Sequence, residues 1–165
     1  MWTVIKVDKK KIRFLANELK NKLGNDFVLY DPKLKIQKNF NNQIKEKEIS
    51  LLGDYVFCHH SKFGNESTIK NLKFTRGLKF FLDGFRQSQV EIKLFIDKCK
   101  NFENEEGYLS QSFFNINLNK EYKFITGPFL DAVFKIVNIQ KNKIDIMLGN
   151  LKTTIRKSEF LFKPL

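Results

Sequence analysis

The sequence predicts an α+β protein: an N-terminal antiparallel sheet with helices packed on it, a linker, and a small C-terminal β-barrel. Three observations carry this. Between Glu121 and Leu148 (EYKFITGPFLDAVFKIVNIQKNKIDIML) strand-like runs are separated by turn chemistry. Ahead of Asn101 the runs follow the order strand, helix, strand, strand, strand, helix, the pattern of helices on an antiparallel sheet. Between these parts lies Asn101 to Ser112 (NFENEEGYLSQS), acidic, polar and without periodicity, which reads as a linker. The domains are accordingly set at 1–100, 101–117 and 118–165.

Trp2 to Val7 is β-branched and aromatic, a strand. Asp8 can cap the helix that follows, in which Ile12, Leu15, Ala16, Leu19 and Leu23 form one apolar stripe. Gly24-Asn25 ends it. Phe27 to Tyr30 is a second strand, stopped by Asp31-Pro32. Leu34 to Glu48 is lysine-rich with weak alternation, an exposed hairpin or mobile loop. Ile49 to His60 (ISLLGDYVFCHH) brings back a strand, with Tyr55 and Phe57 on one face and Val56 and Cys58 on the other. Thr68 to Leu72 is a short helix, and Thr75-Arg76-Gly77 leads into the strand Leu78 to Leu82. Asp83-Gly84 turns the chain, and Ser88 with Glu91 forms a capping box opening a helix with Ile92, Phe95, Ile96 and Cys99 on one side.

In the C-terminal part the runs are Tyr122 to Ile125, Ala132 to Ile139, Ile144 to Leu148 and Thr153 to Arg156. Gly127 permits positive φ and Pro128 fixes φ near −65°, so the pair turns the chain, as does the polar stretch Gln140 to Lys143. Ile144, Ile146 and Leu148 alternate with Asp145 and Met147, the period of a half-buried strand. Short antiparallel strands of this kind close into a small barrel.

The 165 residues carry a net charge of +12, which favours polyanionic partners, nucleic acid before anionic membrane. A second source of the lysine excess stays open: inflation of Lys, Asn, Ile and Phe in an AT-rich genome. No stretch approaches the ~20 apolar residues of a membrane span, so no membrane partner is expected. Trp2 to Val7 is too short an apolar run for a signal peptide and is interrupted by Lys6. Cys58 and Cys99 lie in apolar patterns without a C-x-x-C partner, as reduced core thiols of a cytoplasmic protein do.

Several of these residues carry a resemblance. Phe124-Ile125-Thr126-Gly127-Pro128-Phe129, followed by strand, turn and strand, resembles the KOW module at the C-terminal end of NusG-family transcription factors, an SH3-like barrel. Phe134 stands where that module has a glycine. The N-terminal part is similar to the NusG N-terminal domain, which begins with Trp, a short strand and a helix. Leu51-Leu52-Gly53-Asp54-Tyr55-Val56-Phe57 resembles that family's Leu-Phe-Pro-Gly-Tyr-Val-Phe segment, with Gly53-Asp54 replacing Pro-Gly. Thr75-Arg76-Gly77-Leu78 is similar to the Thr-Arg-Gly-Val of specialised RfaH-like paralogs.

The resemblance implies a transcription elongation or antitermination factor. It would bind RNA polymerase at the β′ clamp helices through an apolar patch of Tyr55, Phe57, Phe80, Phe81 and Phe85. If the helices cover the other sheet face, Tyr55 and Phe57 are left as aromatic surface; as core residues they would play no such part. Lys9, Lys10, Arg13, Lys70, Lys73 and Arg76 would face non-template DNA near the transcription bubble, although lysine clusters also serve as plain solvated surface. Gly127, Pro128 and Phe129 form the KOW turn, and the barrel would engage the ribosome or another factor. The alternative is a basic KOW-type RNA-binding or ribosome-associated protein.

No enzyme is expected. His59 and His60, adjacent on a strand, point to opposite faces and cannot easily share a metal. Glu103, Glu105 and Glu106 lack ligand spacing. No P-loop, nucleotide fingerprint or G-x-S-x-G occurs, so neither catalytic residues nor a cofactor are assigned.

Overall fold

A computed structural model describes residues 1–41 and 43–165. In chain order the elements are β1 (Trp2–Val7), α1 (Ile12–Leu23), β2 (Val28–Tyr30), β3 (Lys33–Phe40), β4 (Gln43–Ser50), β5 (Tyr55–His59), α2 (Glu66–Leu72), β6 (Leu78–Phe81) and α3 (Gln89–Asn101). There follow β7 (Glu121–Phe124), β8 (Val133–Ile139), β9 (Lys143–Leu148), β10 (Leu151–Arg156) and β11 (Phe162–Pro164). The chain forms two compact units, Met1–Pro32 with Ser50–Lys98 and Lys33–Ile49 with Cys99–Leu165.

The first unit is built on a sheet of order β2-β5-β1-β6, its neighbouring strands all antiparallel. A 3-10 turn at Lys9–Lys11 precedes α1, and the Asp8 carboxylate caps it by accepting from the Lys10 N–H. Leu15, Leu19 and Leu23 then fall on one buried stripe, and Gly24, at φ +111°, ends the helix. That stripe packs with Leu72 of α2 and Phe63 on a face made by Ile5, Val7, Val56, Cys58, Leu78 and Phe81.

The opposite face is not bare. Val4 and Phe57 pack there against Ile92 and Ile96 of α3, so helices lie on both sides of the sheet. The reason is in the strands: β1 and β5 carry apolar residues at both parities, and each set needs cover. Gln89 seats α3 by accepting from the Trp2 N–H at 2.9 Å and donating to the Trp2 carbonyl at 2.7 Å.

The second unit holds the hairpin β3–β4 and a five-stranded sheet of order β10-β9-β8-β7-β11, antiparallel throughout. Alternate residues of its strands, Tyr122, Phe124, Phe134, Ile136, Ile144, Ile146, Ile155 and Phe162, form one core. Phe134 is fully part of it, its ring 4.3 Å from that of Phe124. Where the resemblance expects a glycine, the chain has a core aromatic.

These units are drawn differently from the sequence-based domains. The hairpin goes with the C-terminal sheet: the Gln37 N–H donates to the Ile125 carbonyl at 2.8 Å, and its side chain accepts from the Gly127 N–H at 2.8 Å. Residues 101–117 are packed rather than free. Buried Gln111 accepts from the Phe162 N–H at 2.6 Å, and the Tyr122 hydroxyl accepts from the Asn117 N–H at 2.8 Å. Backbone groups in a packed segment must find partners, and these polar side chains supply them.

Candidate docking groove and basic surface

Val4, Leu52, Tyr55, Phe57, Leu82, Glu91, Ile92 and Phe95 line an open groove of about 510 Å³ in the first unit. Its floor is set by register, since Val4 lies opposite Phe57 across the β1–β5 pair. One wall is α3, through Ile92 and Phe95. The lining is almost wholly apolar, with Glu91 the single charge. Such a trough suits an apolar ridge of a protein partner better than a polar metabolite, which would need several convergent donors and acceptors.

The five aromatic residues singled out in the sequence divide. Tyr55 lines the groove half-exposed. Phe57 lines it too but is only 5% exposed, so it is as much core as surface. Phe80, 44% exposed, meets Tyr55 edge-on, and the Lys6 ammonium lies 5.4 Å from the Tyr55 ring and 5.7 Å from that of Phe80. Phe85 packs beside the same cluster.

Phe81 does not join them. It is buried in the opposite core, on the α1 side. The cause is a slip of register in the β1–β6 pair: Lys6 faces Phe80 but Val7 faces Leu78. The extra residue lets Leu78 and Phe81, three apart, face the same way. Val4, Leu52, Leu82, Ile92 and Phe95 were missed as groove residues. The parity of Val4 with Trp2 and Lys6, and the apolar stripe of α3, were the available signals.

The basic residues also divide. Lys9 is engaged internally: its ammonium donates to Asp31 at 2.8 Å and to the Ser50 hydroxyl at 2.6 Å, while Ser50 donates to Asp31. It holds together two chain segments and is poorly placed to meet a phosphate. Lys10, Arg13, Lys70 and Lys73 are exposed, with no carboxylate in ion-pair reach among the described residues. Lys70 and Lys73 line one cavity of about 280 Å³ with Arg86, Glu66 and Asp83.

Arg76 is exposed, its guanidinium 5.6 Å from the Phe14 ring on α1. Its neighbours are structural. Thr75 is buried and accepts from Lys22 at 3.1 Å. Gly77 sits at φ +94°, where a Cβ would stand 3.1 Å from that of Lys11 and 3.3 Å from that of Leu15. The Thr-Arg-Gly segment thus has packing reasons for its first and third residues, and presents the second.

In the second unit Gly127 adopts φ +86° and a Cβ there would fall 2.3 Å from the Phe160 ring, so only glycine fits. Pro128 and Phe129 complete the turn, closed by the Leu130 N–H on the Gly127 carbonyl. Phe129 packs on Phe124 and Phe160 while remaining partly exposed.

His59 and His60 are separated as strand geometry requires. His60 is buried and accepts from the Lys62 N–H, whereas the His59 ring lies tilted against that of Trp2, 5.0 Å between centroids, its pKa lowered first by burial. Burial also raises the pKa of the Cys58 thiol, which disfavours the nucleophilic thiolate. Among the described residues no group of three His, Cys, Asp or Glu is placed to hold a metal. Nor is any described helix long and apolar enough to cross a membrane.

No protein-family model matches the chain, and no curated protein matches it in sequence. Among the solved structures that it resembles, two are similar along nearly their whole length. One is the crystal structure of the MjSpt4:Spt5 complex in conformation B, at 13% identity, covering 100% of this chain and 97% of that one, with a TM-score of 0.30. The other is a structure on domain interaction in Thermotoga maritima NusG, at 14% identity, covering 97% and 95%, with a TM-score of 0.34. Scores this low carry no function across, and the site stands on its own geometry.

Proposed function

We propose that this protein is a transcription elongation factor that binds RNA polymerase through the apolar groove of its first unit. The observation that carries the reading is the groove itself, lined by Tyr55, Phe57, Val4, Leu52, Leu82, Ile92 and Phe95. Water is poorly used there. Burying one large apolar side chain is worth roughly 1.5–3 kcal/mol, so a ridge offering two or three such anchors would bind with useful affinity. The segments Leu51 to Phe57 and Thr75 to Leu78, which resemble NusG-family motifs, supply part of this unit, and the former brings Leu52, Tyr55 and Phe57 to the groove. On that resemblance the occupant is the helical tip of the β′ clamp.

In the same reading Lys10, Arg13, Lys70, Lys73 and Arg76 face non-template DNA, and the protein is a specialised, RfaH-like antitermination factor of the cytoplasm. The C-terminal sheet acts as a KOW-type, SH3-like barrel that engages the ribosome or another factor, with the Gly127-Pro128-Phe129 turn as its signature. Co-purification tests the whole. A tagged chain isolated from its own cells should bring down polymerase subunits; ribosomal RNA without polymerase would favour the RNA-binding alternative instead.

A further inference from the structure

The hairpin β3–β4 has two unlike faces. On one, lysines are neutralised: Lys33 pairs with Glu48 at 3.0 Å, and Lys35 with Glu46 at 3.1 Å and Glu106 at 3.2 Å. Tyr108 donates its hydroxyl to Glu48 on the same side. The other face starts with Leu34 and Ile36, both buried, and by the period of two continues outward through Lys38 and Phe40, both exposed. Lys45 lies 5.5 Å over the Phe40 ring, which puts Lys45, and Lys47 two residues on, on this face as well. The alternation Lys45-Glu46-Lys47-Glu48 therefore sorts its charges by side. Among the described residues no carboxylate comes within ion-pair reach of Lys38, Lys45 or Lys47.

We propose that the exposed, unneutralised part of this face is a binding surface for double-stranded nucleic acid, gripping phosphates with Lys38, Lys45 and Lys47 and offering Phe40 as an apolar tip. Lysines two residues apart on a strand are spaced by roughly 6.6 Å. A duplex carries one charge per ~1.7 Å of axis, so each ammonium meets a phosphate without fine registry. A two-stranded ribbon is also a shape the major groove admits. An anionic membrane fits less well, because the exposed apolar residues Phe40 and Ile44 fall on opposite faces and make no continuous apolar side to insert. The surface lies in the second unit, and the proposal does not depend on what fills the groove of the first.

The test is fluorescence anisotropy of the full chain with a labelled mixed-sequence DNA duplex across a salt series. The variant Lys38→Gln/Lys45→Gln/Lys47→Gln should lower the slope of log K against log salt by about 2.7, three contacts at 0.9 each. A charge-matched variant, Lys93→Gln/Lys141→Gln/Lys163→Gln, should keep the wild-type slope. All six side chains are exposed, and circular dichroism confirms that both variants fold. An unchanged slope in the first variant, or an equal fall in both, overturns the proposal. So does loss of binding to phosphatidylserine vesicles with duplex binding intact.

Discussion

The ring of Tyr55 meets the ring of Phe80 edge-on, 6.4 Å between centroids, with the Lys6 ammonium near both. Tyr55 faces the groove from a half-exposed position, whereas Phe57, two residues along the same strand, is buried. The two should separate in denaturant. Phe57→Ala should cost about 3–5 kcal/mol, the range for emptying an aromatic core position. Tyr55→Ala should cost about 1 kcal/mol, the typical effect of a partly exposed site. Urea midpoints with unchanged m-values would check both.

Gly127 allows a second prediction. Gly127→Ala places a methyl inside the Phe160 ring at a backbone angle alanine resists. Strain and overpacking should together cost about 2–4 kcal/mol. Gly149→Ala, where φ is +55° and open space surrounds the new Cβ, should cost less. Thermal denaturation of the two variants ranks them, and equal losses would remove the Phe160 contact as the cause.

Lys9 and Arg76 should differ in nucleic-acid binding. Lys9→Gln takes the cation from Asp31, one of whose oxygens already lacks a hydrogen-bond partner, and should cost about 1–3 kcal/mol of stability while leaving duplex binding unchanged. Arg76→Gln should leave stability near wild type and lower the salt slope by about 0.9. A salt titration with both variants decides between them.

Asp145 sets an acid limb. Its carboxylate accepts from the Thr154 hydroxyl at 2.7 Å and the Asn138 amide at 2.9 Å, and these bonds hold its pKa below the ordinary aspartate value. Its contribution to stability is present above the unfolded-state value of about 3.9. That contribution is lost as pH falls through the lower folded value. Stability measured from neutral pH downward should therefore decline less steeply in Asp145→Asn, and an identical acid limb would show the bonds to be idle.

Much of this was legible in the sequence. The alternation of Tyr55 and Phe57 with Val56 and Cys58 put each pair on its observed face, and Ile144 and Ile146 marked a half-buried strand. The bulge that turns Phe81 into the core was not legible, because it depends on how β6 pairs with β1. The capture of Lys9 by Asp31 and Ser50 was hidden for the same reason, being long-range in sequence. α3 on the Tyr55 face escaped because an apolar stripe shows that a helix packs, not on which side. The strand at Phe162–Pro164 is too short, and too close to a proline, to leave a pattern.

The most direct measurement is the affinity of purified RNA polymerase for the full chain and for Tyr55→Ala/Phe95→Ala, compared under conditions where circular dichroism shows both folded. The account predicts tight binding by the wild type and a loss of at least about tenfold in the variant, or roughly 1.4 kcal/mol. Equal affinities, or no binding by the wild type, would contradict it.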